Sequence, residues 1–405
     1  MPETLSVQCC IAGGGPAGMM LGFLLARAGV SVLVVEKHAD FLRDFRGDTL
    51  HPSTLEIMHE LGLLERFLRL PHQKVQRINA RFGDLEFTVA DFSHLSTQCR
   101  YVAFMPQWDF LNFLVEVGSR YPGFQVRMSA EVTGVIESGG SVVGLRAETA
   151  TGPMDVRAAL VVGADGRHSI VRKRAGLSVE EFGAPMDVLW FRLSRNPDDP
   201  VDPMGRFDAG RIFIMLNRGD YWQCGFVIAK GSLDEIRARG LPLFRDSVAK
   251  LAPFATDRVH ELQDWEPIKL LTVQVDRLRQ WYKPGLLCIG DAAHAMSPVG
   301  GVGINLAIQD AVASANLLWH PLREGLVTEA DLAKVQARRI WPTRLTQRAQ
   351  LIIQDRVIRR VLNSKVSLSP PWAVGLLARF PFLRRIPAKL IGLGIRPEHV
   401  RTPAG

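Results

Sequence analysis

The run LSVQCCIAGGGPAGMMLGFLLARAGVSVLVVEKH, residues 5–38, leaves the chain few ways to fold. Residues 5–12 are a short apolar run, Gly13-x-Gly15-x-x-Gly18 follows at once, Met19–Ala28 holds no breaker but Gly22, and Val32–Val35 is rich in β-branched residues. That order predicts strand, tight loop, helix and second strand, a βαβ unit of the dinucleotide-binding kind. The first glycine permits the tight turn, the second lets backbone approach a pyrophosphate, and the third lets helix and strand pack closely. Glu36 closes the second strand, roughly 20 residues beyond the glycines, where a carboxylate grips ribose hydroxyls.

A second glycine-rich stretch, GDAAHAMSPVGGVGINLAIQDA at 290–311, follows the apolar strand LLCIG and opens another helix from about Ile304 to Trp319. Between the two, GADGRHSIVR at 163–172 joins an apolar strand to a short helix, and another helix is expected from about Pro52 with Ser53 or Thr54 as its cap. From Met186 to Val275 the pattern is mostly β, with NRGD at 217–220 as a turn. The expected organisation is α/β: a Rossmann-like nucleotide-binding domain in three parts (1–75, 106–180, 276–325). A hairpin at 76–105 and a β-rich insert at 181–275 form a substrate domain, and a basic C-terminal helical segment occupies 326–405.

With 405 residues, 47% of them hydrophobic, the chain can bury a sizeable core. Five cysteines lack metal-ligand spacing, and Cys9, Cys10 and Cys288 sit in strand-like runs, so buried thiols are expected and neither disulfides nor a metal site. No apolar run reaches bilayer-spanning length and the N-terminus lacks a basic region before an apolar stretch, so a cytoplasmic location is expected. From Asp331 onward there are 15 Lys/Arg against 3 Asp/Glu, so the net charge of +8 is a property of the tail. No aromatic-rich nucleic-acid motif accompanies it.

Taken together, GGGPAG with Glu36, GADGRHSIVR and GDAAHAMSPVGGVGINLAIQDA resemble the FAD-dependent class A monooxygenases related to para-hydroxybenzoate hydroxylase, over about residues 5–320. The resemblance implies bound FAD, NADPH or NADH as a transient reductant, and O2, with an aromatic or quinone-like molecule hydroxylated through a flavin C4a-hydroperoxide. It implies cofactor contacts from Gly13, Gly15, Pro16, Ala17, Gly18, Glu36, Lys37, Arg46, Gln107, Val132, Asp165, Asp291, Gly301, Gly303, Ile304 and Asn305, with Pro298 lining the ring. The first loop would hold the phosphates. The second would hold the isoalloxazine, its helix dipole stabilising negative charge on the reduced ring. No second GxGxxG follows, so no dedicated nicotinamide fold is expected. His294 reads as a packing and hydrogen-bonding residue, and His51 as a loop histidine.

Candidate substrate contacts are Trp190, Arg192, Phe213, Trp222 and Gln223. The period of two sends about half of the apolar residues in these strands to the opposite face, and the sequence does not say which half. A flavin-dependent reductase or dehydrogenase on the same scaffold and a non-enzymatic redox sensor are the rival functions. For the tail, PPWAVGLLARFPFLRRIPAKLIGLGIRPEHVR at 370–401 permits two readings, a structural cap or a weak contact with an anionic membrane surface.

Overall fold

The computed structural model describes residues 3–42, 49–366 and 371–404. The strand Glu3–Ala12 lies parallel to both Val32–Val35 and Gly152–Gly163, with the helix Pro16–Arg27 as the crossover between the first two. The sheet runs Tyr282–Lys283, Leu286–Cys288, Gly152–Gly163, Glu3–Ala12, Val32–Val35, Phe124–Arg127. An antiparallel ribbon, Ala130–Ser138 with Ser141–Thr149, attaches at Gly152–Gly163. Its central strands are covered on both faces, and Cys9, Cys10, Ile11, Val161 and Val162 are fully buried, which is why they read as continuous rather than alternating apolar runs. The helix Gly303–Arg323 packs along Pro16–Arg27. All five cysteines are free and buried.

A separate seven-stranded sheet has the order Lys269–Leu271, Met186–Ser194, Tyr221–Ala229, Arg211–Asn217, Met204–Asp208, Arg77–Phe82, Leu85–Asp91. The early hairpin and the later β-rich stretch thus join into one sheet, through a parallel pairing of Met204–Asp208 with Arg77–Phe82. The later stretch is less purely β than its pattern suggests. It contains the helices Leu233–Ala238 and Leu241–Leu251 and a 3₁₀ segment Pro253–Glu261, whose Phe244, Val248 and Leu251 cover one face of the sheet.

The C-terminal segment begins with the helix Glu329–Ile353, continues through a π-helical turn Gln354–Ile358 and ends in the short helices Trp372–Arg379 and Arg385–Gly392, which lie on the strand Leu85–Asp91. Small residues make that approach close: Ala388 is fully buried, and a Cβ on Gly392 would stand 3.0 Å from Leu95. No helix among the described residues is long and apolar enough to cross a membrane.

Candidate functional site

The three glycines of the first loop divide their work visibly. Gly13 has φ +103°, and a Cβ there would collide with the Ala164 carbonyl; a Cβ on Gly18 would collide with the Gly13 carbonyl. A Cβ on Gly15 would meet nothing within 4 Å. Two glycines therefore serve the chain, and the middle one faces open space. Gly15 is also the N-cap of the helix Pro16–Arg27, which has no side-chain cap and no acidic residue in its first turn. Its free N–H groups and positive dipole end form an anion site. Pro16 and Ala17 build that turn. Glu36 Oε2 accepts the Gly14 N–H at 2.8 Å and Oε1 that of His38 at 3.1 Å, so the carboxylate braces the loop from below. Lys37 is exposed beside it. Val132 lies two residues beyond Ala130, whose N–H donates to the Glu36 carbonyl at 2.9 Å. Arg46 lies outside the described residues.

The second loop repeats the device. The strand Leu286–Cys288 delivers half-buried Asp291 in the 3₁₀ turn Gly290–Ala292. Pro298 starts a further turn in which Gly300 and Gly301 have φ +79° and +62°. The helix Gly303–Arg323 again lacks a side-chain cap and an acid in its first turn. The neighbouring helix Glu329–Ile353, by contrast, carries a full capping box of Thr328 and Asp331. The two open helix ends converge. A Cβ on Gly290 would stand 3.1 Å from the Cβ of Ala17 and 3.2 Å from that of Ala307, so only small residues separate the first turn of one helix from the start of the second turn of the other. This arrangement fits FAD: one anion-binding end, a backbone platform without side chains, and a short interval between them.

The side chain of Asn305, a residue expected at the cofactor, is engaged within the chain. Its Oδ1 accepts from the His51 N–H at 2.9 Å and from Thr54 Oγ1 at 2.6 Å, and its Nδ2 donates to the Thr49 carbonyl at 3.2 Å. Thr54 is thereby engaged, and the helix Pro52–Glu60 starts with His51 as an N-cap that makes no side-chain cap bond, instead of Ser53 or Thr54. His51 is buried, with Nδ1 donating to the Ile391 carbonyl at 2.7 Å, and burial pulls its pKa down to about 4, the Ile391 bond opposing only in part. Ile304 is half-buried at the helix start.

Sequence reasoning missed what holds the second loop. Gln347 Nε2 donates to the carbonyls of Asp276 and Ala295 at 2.7 and 3.1 Å. Gln350 Nε2 donates to those of Ser297 and Val299, both at 2.9 Å, and its Oε1 accepts from Ser297 N–H at 3.2 Å. Gln354 Nε2 reaches Ser297 Oγ at 2.7 Å. All three are buried. Their spacing of three and four in RLTQRAQLIIQD was the available signal, polar amides where a helix facing the core would carry aliphatics. Beside them, buried His294 Nε2 contacts Asp310 Oδ2 at 2.6 Å, and Asp310 Oδ1 accepts from Arg339 Nε at 2.9 Å. Arg339 then meets Glu398 at 3.2 Å. Burial pushes the Asp310 carboxyl up, but His294 and Arg339 outweigh it and hold it below the usual range. His294 is thus tied into structure, as its motif suggested.

Asp165, expected at the cofactor, is an internal cap: it accepts from Ser169 Oγ at 2.5 Å and from the N–H groups of Ile170 and Val171 at 2.7 and 3.2 Å. Burial raises its pKa against those bonds. Arg172 pairs with Asp276 at 3.2 Å. Gln107 is the half-buried first residue of the helix Gln107–Gly118.

The two faces of the seven-stranded sheet pack against different partners. Phe213 and Trp222, expected as substrate contacts, point into the cluster under the helix Leu241–Leu251, and Trp222 Nε1 donates to buried Asp199 at 2.8 Å. They are core residues, because the helices the sequence pattern concealed cover that face. Met215 and Phe226 go with them. Trp190 lies on the other face, across Gly225, with the Val188, Ile212 and Val227 side chains; Val299 of the second loop joins this cluster. Gln223 and Arg192 share that face by alternation: Gln223 Oε1 accepts from Arg218 Nε at 2.8 Å, and the Arg192 guanidinium lies 4.8 Å from the Tyr221 ring centre. Arg218 in turn lies 5.5 Å from the Phe104 ring centre. The structure brings Trp190, Arg192 and Gln223 to the loop side and leaves Phe213 and Trp222 behind the sheet.

Residues 6–349 match the FAD binding domain family. The 6-methylpretetramide 4-monooxygenase of Streptomyces rimosus is 31% identical over 395 residues, covering 97% of this chain and 94% of that one. A rifampicin monooxygenase of Streptomyces venezuelae is 30% identical over 76% of this chain but only 62% of its own length. Among solved structures, p-nitrophenol 4-monooxygenase of Pseudomonas putida DLL-E4 superposes with TM-score 0.77 at 21% identity, covering 96% of each chain. The two open helix ends, the family match and the relative of nearly equal length agree: the chain belongs to the FAD-binding-domain family of class A flavoprotein monooxygenases.

Proposed function

We propose that this FAD-dependent monooxygenase hydroxylates a fused-ring aromatic phenol, bound between the second glycine loop and the Trp190 face of the seven-stranded sheet. The convergence of two uncapped helix N-termini at Gly290 carries the cofactor part of this reading. The substrate class is supported by likeness to a monooxygenase named for 6-methylpretetramide and by Trp190 and Val299 packing against the same apolar cluster on the loop side of the sheet.

Bound FAD supplies chemistry no side chain offers, taking two electrons from NADH or NADPH and activating O2. The chain's part is placement. The N–H groups after Gly15 would hold the pyrophosphate and Glu36 the ribose, with Gln107 and Val132 flanking the adenosine half. Asp291 would accept from a ribityl hydroxyl, and backbone N–H groups at the start of the helix Gly303–Arg323 would meet the ring, the Gly301 N–H being held by the Pro298 carbonyl at 3.0 Å. The dipole of Gly303–Arg323 would stabilise negative charge on the reduced ring. Trp190, Val299 and Pro298 exclude water, while Arg192 and Gln223 orient the phenol oxygen.

Gly15→Val tests the cofactor geometry. Its side chain enters space that no protein atom occupies, so the apoprotein should fold and melt as wild type while losing FAD on desalting. Unchanged flavin retention would refute the placement. Substrate-dependent NAD(P)H consumption with mass gain of one oxygen in a fused-ring phenol tests the reaction. We further infer a peripheral relation to an anionic membrane surface through the basic C-terminal segment, which suits a lipophilic substrate.

A further inference from the structure

The two terminal helices turn their bulky side chains the wrong way for a cap alone. Inward they present Val374, Ala378, Ala388 and Gly392, which pack on the substrate sheet and beside Phe92 and Leu95. Outward they present Trp372, Phe382, Ile386 and Leu390, exposed by 80%, 63%, 59% and 52%. Ile386 and Leu390, four apart, share one stripe of their helix, opposite Ala388 and Gly392. The helices and the turn Pro381–Arg384 between them pack on one another, so this is one surface. Phe380 and Phe382 have ring centres 6.1 Å apart, with the Arg379 guanidinium 5.9 Å from Phe380. Arg385 and Lys389 border the aliphatic stripe, and residues 372–397 contain no Asp or Glu.

We propose that this face docks on an anionic lipid surface, Trp372, Phe382, Ile386 and Leu390 entering the headgroup boundary while Arg379, Arg385 and Lys389 meet lipid phosphates. It deepens the peripheral-membrane reading by naming the face, and draws on the lipophilic substrate only for its purpose. Apolar anchors ringed by cations with no intervening acid match that partner. A second copy of the chain matches it poorly, since a two-fold contact would set cation against cation with no carboxylate to compensate.

The test uses the FAD-loaded full chain and sedimentation with vesicles of phosphatidylcholine alone or with about one third phosphatidylglycerol. The expected result is binding to the anionic vesicles at low salt, lost at high salt, and absent from the neutral ones. The double variant R385E/K389E should lower partitioning at least about tenfold, and F382S/I386S should lower it at any salt. Both changes are at exposed positions, and flavin content and melting temperature verify folding. No binding of wild type to anionic vesicles overturns the proposal, as does equal binding of the variants. Concentration-dependent dimerisation abolished by F382S/I386S also overturns it, assigning the face to a second copy. The readout is partitioning and not turnover, so a negative result leaves the hydroxylase reading intact.

Discussion

Replacing Gln350 by Met should loosen the flavin loop more than any other single uncharged change in the helix that carries it. Met keeps the straight side-chain shape but removes three hydrogen bonds, two to Ser297 and one to Val299. Ser297 is 1% exposed, so its N–H and carbonyl would be stranded, whereas half-buried Val299 can find water. Two buried unpaired groups at about 1–3 kcal/mol each set the cost at about 2–6 kcal/mol if the loop stays put. The loop can avoid part of that by opening, and then FAD affinity suffers instead. The expected result is FAD binding weaker by at least about thirtyfold, the equivalent of 2 kcal/mol, in a flavin-fluorescence titration, with a lowered melting temperature. Gln354→Met, which removes a single bond to Ser297 Oγ, should show a smaller effect. If Gln350→Met retains FAD and melts as wild type, the amide stripe does not position the loop and the reasoning fails.

Other outcomes follow from the same structure. Because burial holds the His51 pKa at about 4 in the folded state, against about 6.5 when unfolded, the unfolded chain binds more protons between those values. Stability should therefore fall as pH drops from about 6.5 toward 4, and His51→Gln should flatten that part of a stability–pH profile. A slope unchanged in the variant would show that other groups cause it. Trp222→Ala should cost about 3–5 kcal/mol in denaturant unfolding through the cavity and the orphaned Asp199 contact. Trp190→Ala should chiefly raise KM for the aromatic substrate; the reverse pattern would invert the assignment of sheet faces.

What the sequence disclosed depended on how local the physics was. The βαβ unit was legible because loop, helix and Glu36 lie within 24 residues of Gly13 and each is fixed by its neighbours in the chain. The second loop was legible for its glycines, not for its support, since Gln347, Gln350 and Gln354 look like solvated helix residues until the backbone they bind arrives from some fifty positions away. Strand alternation divided Trp190 from Trp222 but could not say which side lay beneath the helices of the insert. That depended on the helix Leu241–Leu251, whose residues closed one face. The bonds of Asp165 were hidden for a related reason: a carboxylate before a short helix can serve a cofactor or a cap, and only the fold shows it accepting from Ser169, Ile170 and Val171.

The contact of Gly290 with Ala17 and Ala307 sets how a two-headed ligand is measured. An adenine nucleotide and a flavin mononucleotide could each occupy one half, but the bond joining them makes the second capture intramolecular, at an effective concentration fixed by the interval between the halves. That interval is set at position 290, where the second loop begins. A methyl group there would press the two helix starts apart and strain a backbone held at φ +57° in the turn that carries Asp291, leaving the first half-site intact while spoiling the second and the fit of the tether. Gly290→Ala would then bind an adenine nucleotide as before and lose the advantage of FAD over the unlinked pair, so one absent side chain is the gauge by which this chain recognises a dinucleotide as a single object.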